Sequence, residues 1–260
     1  MSLIMGIVNV TPDSFSDGGN FYSKEAAIQH ALQLLDDGAD IIDVGGESTR
    51  PGAEPVSQEQ ELERVIPVIS EIKDRRPEAV VSVDTRKSEV ARRAVEAGAT
   101  IVNDVSAGRY DPEMLATVAS LQAPYILMHM KGEPQTMQEN PEYDDVVRDV
   151  AMFLQERVNT ARAAGIKVVY VDPGIGFGKT VEHNLALLRN LQQFSSIAPL
   201  VLGVSRKRFL GTIFNIEEAS QRDLSTALVH ALLISKPIHL LRVHNVALIS
   251  QLRKLHEALI

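Results

Sequence analysis

Gly38-Ala39-Asp40-Ile41-Ile42-Asp43-Val44-Gly45 reads as a helix stop followed at once by a strand. A glycine in the left-handed conformation is the usual way to end a helix. The run behind it is apolar on both alternate faces, which suits a parallel strand covered on both sides. The same succession returns at Gly98-Ala99-Thr100-Ile101-Val102-Asn103-Asp104 and at Gly165-Ile166-Lys167-Val168-Val169-Tyr170-Val171-Asp172. Working outward, the chain holds eight such runs: Leu3–Asn9, Asp40–Gly45, Ala79–Asp84, Thr100–Asp104, Pro124–His129, Lys167–Asp172, Pro199–Ser205 and His239–His244. Helical patterns fall between them. Ser23 reads as the N-cap of a helix over Lys24–Asp37. Further helices are expected over Gln58–Arg75, Ser88–Ala97, Tyr143–Ala164, Val181–Leu191, Gln221–Ser235 and Val246–Leu259, with a short one near Pro112–Leu121. Eight strand–helix units without a change of composition predict a single (β/α)8 TIM barrel, one domain over residues 1–260. An open doubly wound sheet is the alternative.

Composition narrows the function classes. The chain has 260 residues, 45% apolar and 23% charged, ordinary for a globular protein with a substantial core. No apolar run approaches the roughly 18 residues that span a bilayer, so no membrane role is expected. No cationic-then-apolar leader precedes the first motif, and a cytoplasmic setting is the expectation. Cysteine is absent, which removes disulfides, thiolate nucleophiles and thiolate metal sites together. The net charge of −8 argues against nucleic acid as a partner, since that affinity comes from a basic footprint.

Polar residues gather where the runs end. Asn9, Asp43, Asp84, Asn103-Asp104, Met128-His129, Asp172, Ser205-Arg206-Lys207 and Arg242-Val243-His244 close the eight strands. In a barrel those ends share the face that carries active sites. Asp84, Asn103 and Asp172 are acceptors that need donors, and a heterocycle with several ring N–H groups would supply them. Arg50, Lys207, Arg242 and His244 suit a phosphate or diphosphate. The competing reading makes these cations salt-bridge partners of Asp43, Glu47 and Asp104. Asp172-Pro173-Gly174-Ile175-Gly176-Phe177-Gly178-Lys179-Thr180 nearly matches a phosphate-binding P-loop, but Pro173 replaces its first glycine. Its alternate glycines mean a tight backbone or one closely approached by ligand. Phe177 is either a wall for a flat ring or a core plug. Lys207 at a strand end also allows a Schiff base, as in aldolase-like barrels.

Taken together these residues resemble a known family. Asn9-Val10-Thr11-Pro12-Asp13-Ser14-Phe15-Ser16-Asp17-Gly18-Gly19, Gly45-Gly46-Glu47-Ser48-Thr49-Arg50-Pro51-Gly52 and Val83-Asp84-Thr85-Arg86-Lys87 are similar to the signatures of dihydropteroate synthases. Asn103-Asp104-Val105-Ser106, Met128-His129-Met130, Asp172 through Lys179, Ser205-Arg206-Lys207 and Arg242-Val243-His244 continue the resemblance in the same order. It implies a homodimer packed through the C-terminal helices. It implies condensation of 7,8-dihydropterin-6-ylmethyl diphosphate with 4-aminobenzoate, a folate-pathway step that sulfonamides block. Carried over by residue, Asp84, Asn103, Met128, Asp172 and Lys207 would hold the pterin. Asn9, Arg50, Arg242 and His244 would hold the diphosphate, with Mg2+ on Asn9. Phe15, Thr49, Pro51, Phe177, Ser205 and Lys207 would border the aminobenzoate. Asp17, Lys207, Arg242 and His244 would act in catalysis, Asp17 stabilising the pterin methylene cation left when diphosphate departs first. Asn245 stands where the family usually has Asp, and Ala107 where it commonly has Gly. The other readings are a pterin-binding methyltransferase module, a non-catalytic pterin-binding paralogue, and the Schiff-base aldolase.

Overall fold

The computed structural model describes residues 2–11, 19–48, 52–133 and 136–259, with backbone alone over 19–23. The elements run β1 (Leu3–Asn9), α1 (Gly19–Asp36), β2 (Ile41–Gly45), α2 (Gln58–Arg75), β3 (Val80–Asp84), α3 (Ser88–Glu96), β4 (Ile101–Asp104), α4 (Met114–Leu121) and β5 (Tyr125–Met128). There follow α5 (Val146–Ala163), β6 (Val169–Asp172), α6 (Val181–Arg189), α7 (Leu191–Ser195), β7 (Val201–Leu202), α8 (Arg208–Phe214), α9 (Asp223–Leu232), β8 (Leu240–Val243) and α10 (Val246–Leu259). All strand pairings are parallel, in the order β6-β5-β4-β3-β2-β1-β8-β7. A bridge between Val171 and Leu200, with the Val171 N–H on the Pro199 carbonyl at 3.1 Å, joins the two ends of that row. The sheet is therefore a barrel, and the open doubly wound alternative is excluded.

The three quoted glycines have φ of +102° at Gly38, +110° at Gly98 and +102° at Gly165, the left-handed helix stops expected of them. Ser57 caps α2 with a reciprocal bond to Gln60, and Asp145 caps α5. Ser23 is not an N-cap: α1 begins four residues earlier, at Gly19. Serine has no strong aversion to a helix interior, so it does not mark the start. The expected helix over Val181–Leu191 divides at Asn190, whose side-chain amide donates to the Ala186 carbonyl at 2.8 Å. β7 is only two residues long, because the chain leaves the sheet at Gly203 and turns at Arg206, φ +58°. α8 has no counterpart in the sequence reading.

Side chains alternate across each strand. Outward residues such as Val8, Val44, Val83, Val102, Leu127 and Val171 pack under the helices in one buried layer. Inward residues fill the barrel in tiers. Met5, Ile41, Ile101, Ile126, Val201 and Leu240 make the lowest tier, with Tyr170 against it. Two residues further along the strands the inward positions become Asp43, Ser82, Asn103, Met128, Asp172 and Arg242. The barrel is thus apolar at its base and polar from mid-height upward, which places the chemistry at the C-terminal ends of the strands.

Candidate functional site

A cavity of about 500 Å³ opens at that end. Its walls include Asn9, Thr11, Glu47, Ser48, Asp84, Met137, Gln138, Phe177, Ser205, Lys207, Arg242 and His244. A narrow recess beneath it is lined by Asn103, Met128, Asp172, Gly174, Phe177, Gly203, Lys207 and Arg242. Ten of the fifteen site residues expected from sequence line these two spaces: Asn9, Asp84, Asn103, Met128, Asp172, Phe177, Ser205, Lys207, Arg242 and His244. Phe15, Asp17, Thr49, Arg50 and Pro51 lie outside the described residues.

Register explains the convergence. Asn9 pairs with Gly45, Gly45 with Asp84, and Asp84 with Asn103, so these positions form one row across four strands. Gly45 carries no side chain in that row, which leaves room between Asn9 and Asp84. Period two also corrects the expectation that every polar strand end faces the site. Asp104, next to Asn103, points outward and accepts from the Tyr125 hydroxyl at 2.6 Å and from the Ser106 and Gly108 N–H groups. His129, next to Met128, also lies outside, edge-on to Phe153, with Nδ1 2.9 Å from Lys179 Nζ. Both residues hold loops.

Arg242 is the electrostatic centre. Its Nε donates to Asp43 Oδ2 and its Nη2 to Asp84 Oδ2, each at 2.7 Å. Asn103 Nδ2 donates to the same Asp43 oxygen at 3.1 Å. The competing salt-bridge reading is therefore right about Arg242 and Asp43. Burial raises the Asp84 pKa to about 7 despite the facing guanidinium of Arg242. Burial also raises that of Asp172, against the Gly174 N–H that its Oδ1 accepts at 2.7 Å and the charge of Lys207. Lys207 shows the reverse. Burial pulls its ammonium down to about 7, with Asp172 opposing, and Nζ stands 3.9 Å from the centre of the Phe177 ring. The pocket thus holds carboxylates that are easily protonated beside an amine that is easily neutralised, the usual mark of a chemical site.

Phe177 is wall and plug together: it lines both spaces and packs on Val105, Met128, Met130 and Met137. The glycines around it answer to crowding. Gly174 and Gly178 have φ of +68° and +65°, and a side chain at either would overlap the His129 or Lys131 carbonyl. Lys179 fastens the loop by donating to the Phe177 carbonyl at 2.9 Å. Ser205 Oγ lies 2.9 Å from His244 Nδ1 and accepts the His244 N–H at 3.1 Å, which joins the ends of β7 and β8.

Beside the cavity, Glu47 accepts from Arg86 at 2.8 Å and Lys87 at 2.7 Å, and Lys87 reaches Glu61 at 2.5 Å. Glu61 is fully buried. This network ties the loop after β2 to β3 and α2. Sequence reasoning took Asp43 only as a salt-bridge partner and gave Met137, Gln138 and Gly203 no individual role. For Asp43 there was a signal, an ionisable residue inside an otherwise apolar strand. Met137 and Gln138 arrive on a loop whose path only the fold decides. Of the two departures, Asn245 donates to Asp223 at 3.1 Å while accepting the Leu248 N–H at 3.0 Å, so both ends of the amide are used. Ala107 is buried with φ +56°, where glycine would be unstrained.

Residues 5–244 match the sequence profile of the family described as pterin binding enzyme. A dihydropteroate synthase of Synechocystis sp. is 44% identical over 259 residues, covering 98% of this chain and 89% of that protein. The Xanthomonas albilineans dihydropteroate synthase solved with 4-aminobenzoic acid superposes with a TM-score of 0.93 at 46% identity, over 99% of this chain and 93% of that one. The enzyme from the same organism solved with 7,8-dihydropteroate gives a TM-score of 0.89 at 42% identity, over 99% and 93%.

Proposed function

This chain belongs to the pterin-binding enzyme family and is a transferase of folate biosynthesis, and from that premise we propose how its single barrel domain works. It joins 7,8-dihydropterin-6-ylmethyl diphosphate to 4-aminobenzoate, releasing diphosphate and 7,8-dihydropteroate. The observation that carries this reading is the division of the pocket. Asn103 and Asp172 line the recess, Asp84, Asn9 and His244 line the wider space, and Lys207 and Arg242 line both and join them.

The recess together with the adjoining side of the cavity, where Asp84 lies, suits a flat donor-rich ring, with Asp84, Asn103 and Asp172 accepting from its N–H groups and Met128 and Phe177 against its faces. The wider space suits the diphosphate. Arg242, already shared between Asp43 and Asp84, fixes the register between ring and tail. Lys207 lies at the junction, beside Phe177, where the amine would enter. The roles of Phe15 and Asp17, and of Thr49, Arg50 and Pro51, are carried by the resemblance alone. Asp17 would face the cation left when diphosphate departs first, and the loops would keep water from competing with the arylamine. Sulfonamides, as analogues of 4-aminobenzoate, would compete at the same place.

Mg2+ belongs to this proposal. Among the described residues no group of three acidic or histidine side chains is placed to hold a metal. The amide oxygen of Asn9 at the cavity wall is a hard ligand of the kind Mg2+ accepts singly when phosphates and waters complete its shell. The residues therefore fit an ion that arrives with the diphosphate, whose charge it would neutralise.

The dimer is placed on the C-terminal helices. Leu224, Leu228 and Leu232 on α9, and Leu255 and Leu259 on α10, are exposed at a spacing of four. Leu228→Asp would lower the sedimentation mass to one chain, and a monomeric wild type would refute the placement. No helix among the described residues is long and apolar enough to cross a membrane. Cytoplasmic location is part of the proposal and is checked by cell fractionation.

The decisive experiment is a coupled assay of diphosphate release. Release that requires both substrates and stops with chelator is expected. Release indifferent to 4-aminobenzoate would overturn the reaction, and indifference to chelator the metal.

A further inference from the structure

Arg206 sits between two residues of the site, Ser205 and Lys207, and its φ of +58° is left-handed. An arginine stays there only when its surroundings hold it. The holding groups come from the first turn of α9 and the residue before it. The Arg206 N–H donates to Thr226 Oγ1 at 3.2 Å, and its carbonyl accepts from Arg222 Nη1 at 3.0 Å. Its guanidinium makes two parallel bonds to Asp223, Nε to Oδ1 at 2.6 Å and Nη2 to Oδ2 at 2.8 Å. Oδ2 of Asp223 also accepts from Asn245 Nδ2 at 3.1 Å, one residue beyond His244. One carboxylate thus ties the turn after β7 to the turn after β8.

We propose that Asp223 is a positioning residue of the transfer reaction: by holding Arg206 left-handed it sets where Ser205 and Lys207 enter the cavity. This rests on the reading of that cavity as the transferase site. The side chains of Arg206 and Asp223 are 29% and 19% exposed, so solvent screens the pair only in part. Burial works to raise the Asp223 pKa, but the hydrogen bonds from Arg206 and Asn245, with the charges of Arg206 and His244, outweigh it and hold the carboxyl below its usual range. The clamp is therefore charged at neutral pH. Its bidentate geometry fixes direction as well as proximity. An isolated surface ion pair contributes little to stability, so the effect is expected in the placement of Lys207.

The experiment is a double-mutant cycle in the full-length enzyme with Asp223→Ala and Arg206→Gly. A displacement of ~1 Å in a site costs up to about 10²-fold, so Asp223→Ala is expected to lower kcat about tenfold or more. Both KM values should stay within about threefold and unfolding should remain cooperative. Asp223→Glu should restore part of kcat. Glycine adopts +58° freely, so adding Asp223→Ala to Arg206→Gly should change kcat less than about twofold. An equal loss in both backgrounds, or a wild-type kcat in Asp223→Ala, overturns the proposal. A second readout needs no activity: trinitrophenylation of the Lys207 amine at pH 7, followed by mass spectrometry. It should slow about threefold or more in Asp223→Ala as the displaced ammonium regains solvent and its ordinary basicity. Unchanged labelling overturns the proposal even if the wild type shows no diphosphate release, which would instead count against the reading of the site.

Discussion

Arg242 Nη2 lies 2.7 Å from Asp84 Oδ2, while Nε of the same guanidinium holds Asp43, so the floor of the cavity is an Asp–Arg–Asp bridge spanning β2, β3 and β8. Asp43 is fully buried and its Oδ1 has no hydrogen-bond partner among the described residues. A buried acceptor without a donor costs free energy, which an arriving donor can recover. A ring donor arriving at Asp84 therefore meets a carboxylate that is under-solvated and already aligned by Arg242.

Pterin diphosphate binding should depend on the charge of Asp84. With a pKa of about 7, its carboxylate is protonated as pH falls below that value, and it then accepts less well from ring N–H groups. Calorimetric affinity of the wild type should decline below about pH 7. Asp84→Asn should bind roughly ten- to a hundredfold more weakly, about 1.5–3 kcal/mol, without that pH dependence. Undiminished affinity of the Asn variant would exclude Asp84 as the ring acceptor.

Lys207 predicts a stability slope of opposite origin. Its folded pKa is about 7 and its unfolded value near 10.5, so between those limits the unfolded chain binds more protons. Stability gained by wild type relative to Lys207→Met should rise with pH across that window and level off on either side. Turnover of Lys207→Met should fall by about 10² or more. A pH-independent difference in Tm would show that the ammonium is better solvated than its position beside Phe177 implies.

The buried network beside the cavity should fail asymmetrically. Lys87→Met leaves Glu61, fully buried, and Glu47 without their common cation, at a cost of about 3–5 kcal/mol. Adding Glu61→Leu removes the stranded charge and should recover a large part of that loss in urea denaturation. Equal destabilisation of single and double variants would mean that packing, and not charge, is what Lys87 provides.

His230 should govern part of the acid sensitivity. It lines a separate cavity of about 380 Å³ between α9 and α10, and neither ring nitrogen has a partner among the described residues. Burial lowers its pKa to about 4, so it is neutral when folded. Because the unfolded imidazole takes up its proton near 6.5, the contribution of His230 is present above that value and is lost as pH falls towards 4. His230→Leu should flatten the decline of Tm over that range. An unchanged slope would mean that the imidazole charges without cost in the folded state.

Eight apolar runs, their left-handed glycine stops and their polar C-terminal ends were legible in the residues themselves, because parallel strands and helix ends are specified by local pattern and backbone sterics. Asp84, Asn103, Asp172 and Lys207 could be picked out for the same reason, as polar groups at the ends of apolar strands. What only the tertiary structure decided was which neighbour of each polar pair faces inward. Asn103 lines the recess while Asp104 fastens a turn, and Met128 lines it while His129 lies outside. That choice is a matter of register, and a shift of one residue would exchange every such pair. Nor could sequence show that Arg242 is held between Asp43 and Asp84, residues 199 and 158 positions away. Closure of the barrel brings those strands together, and burial then sets the charges that the site works with.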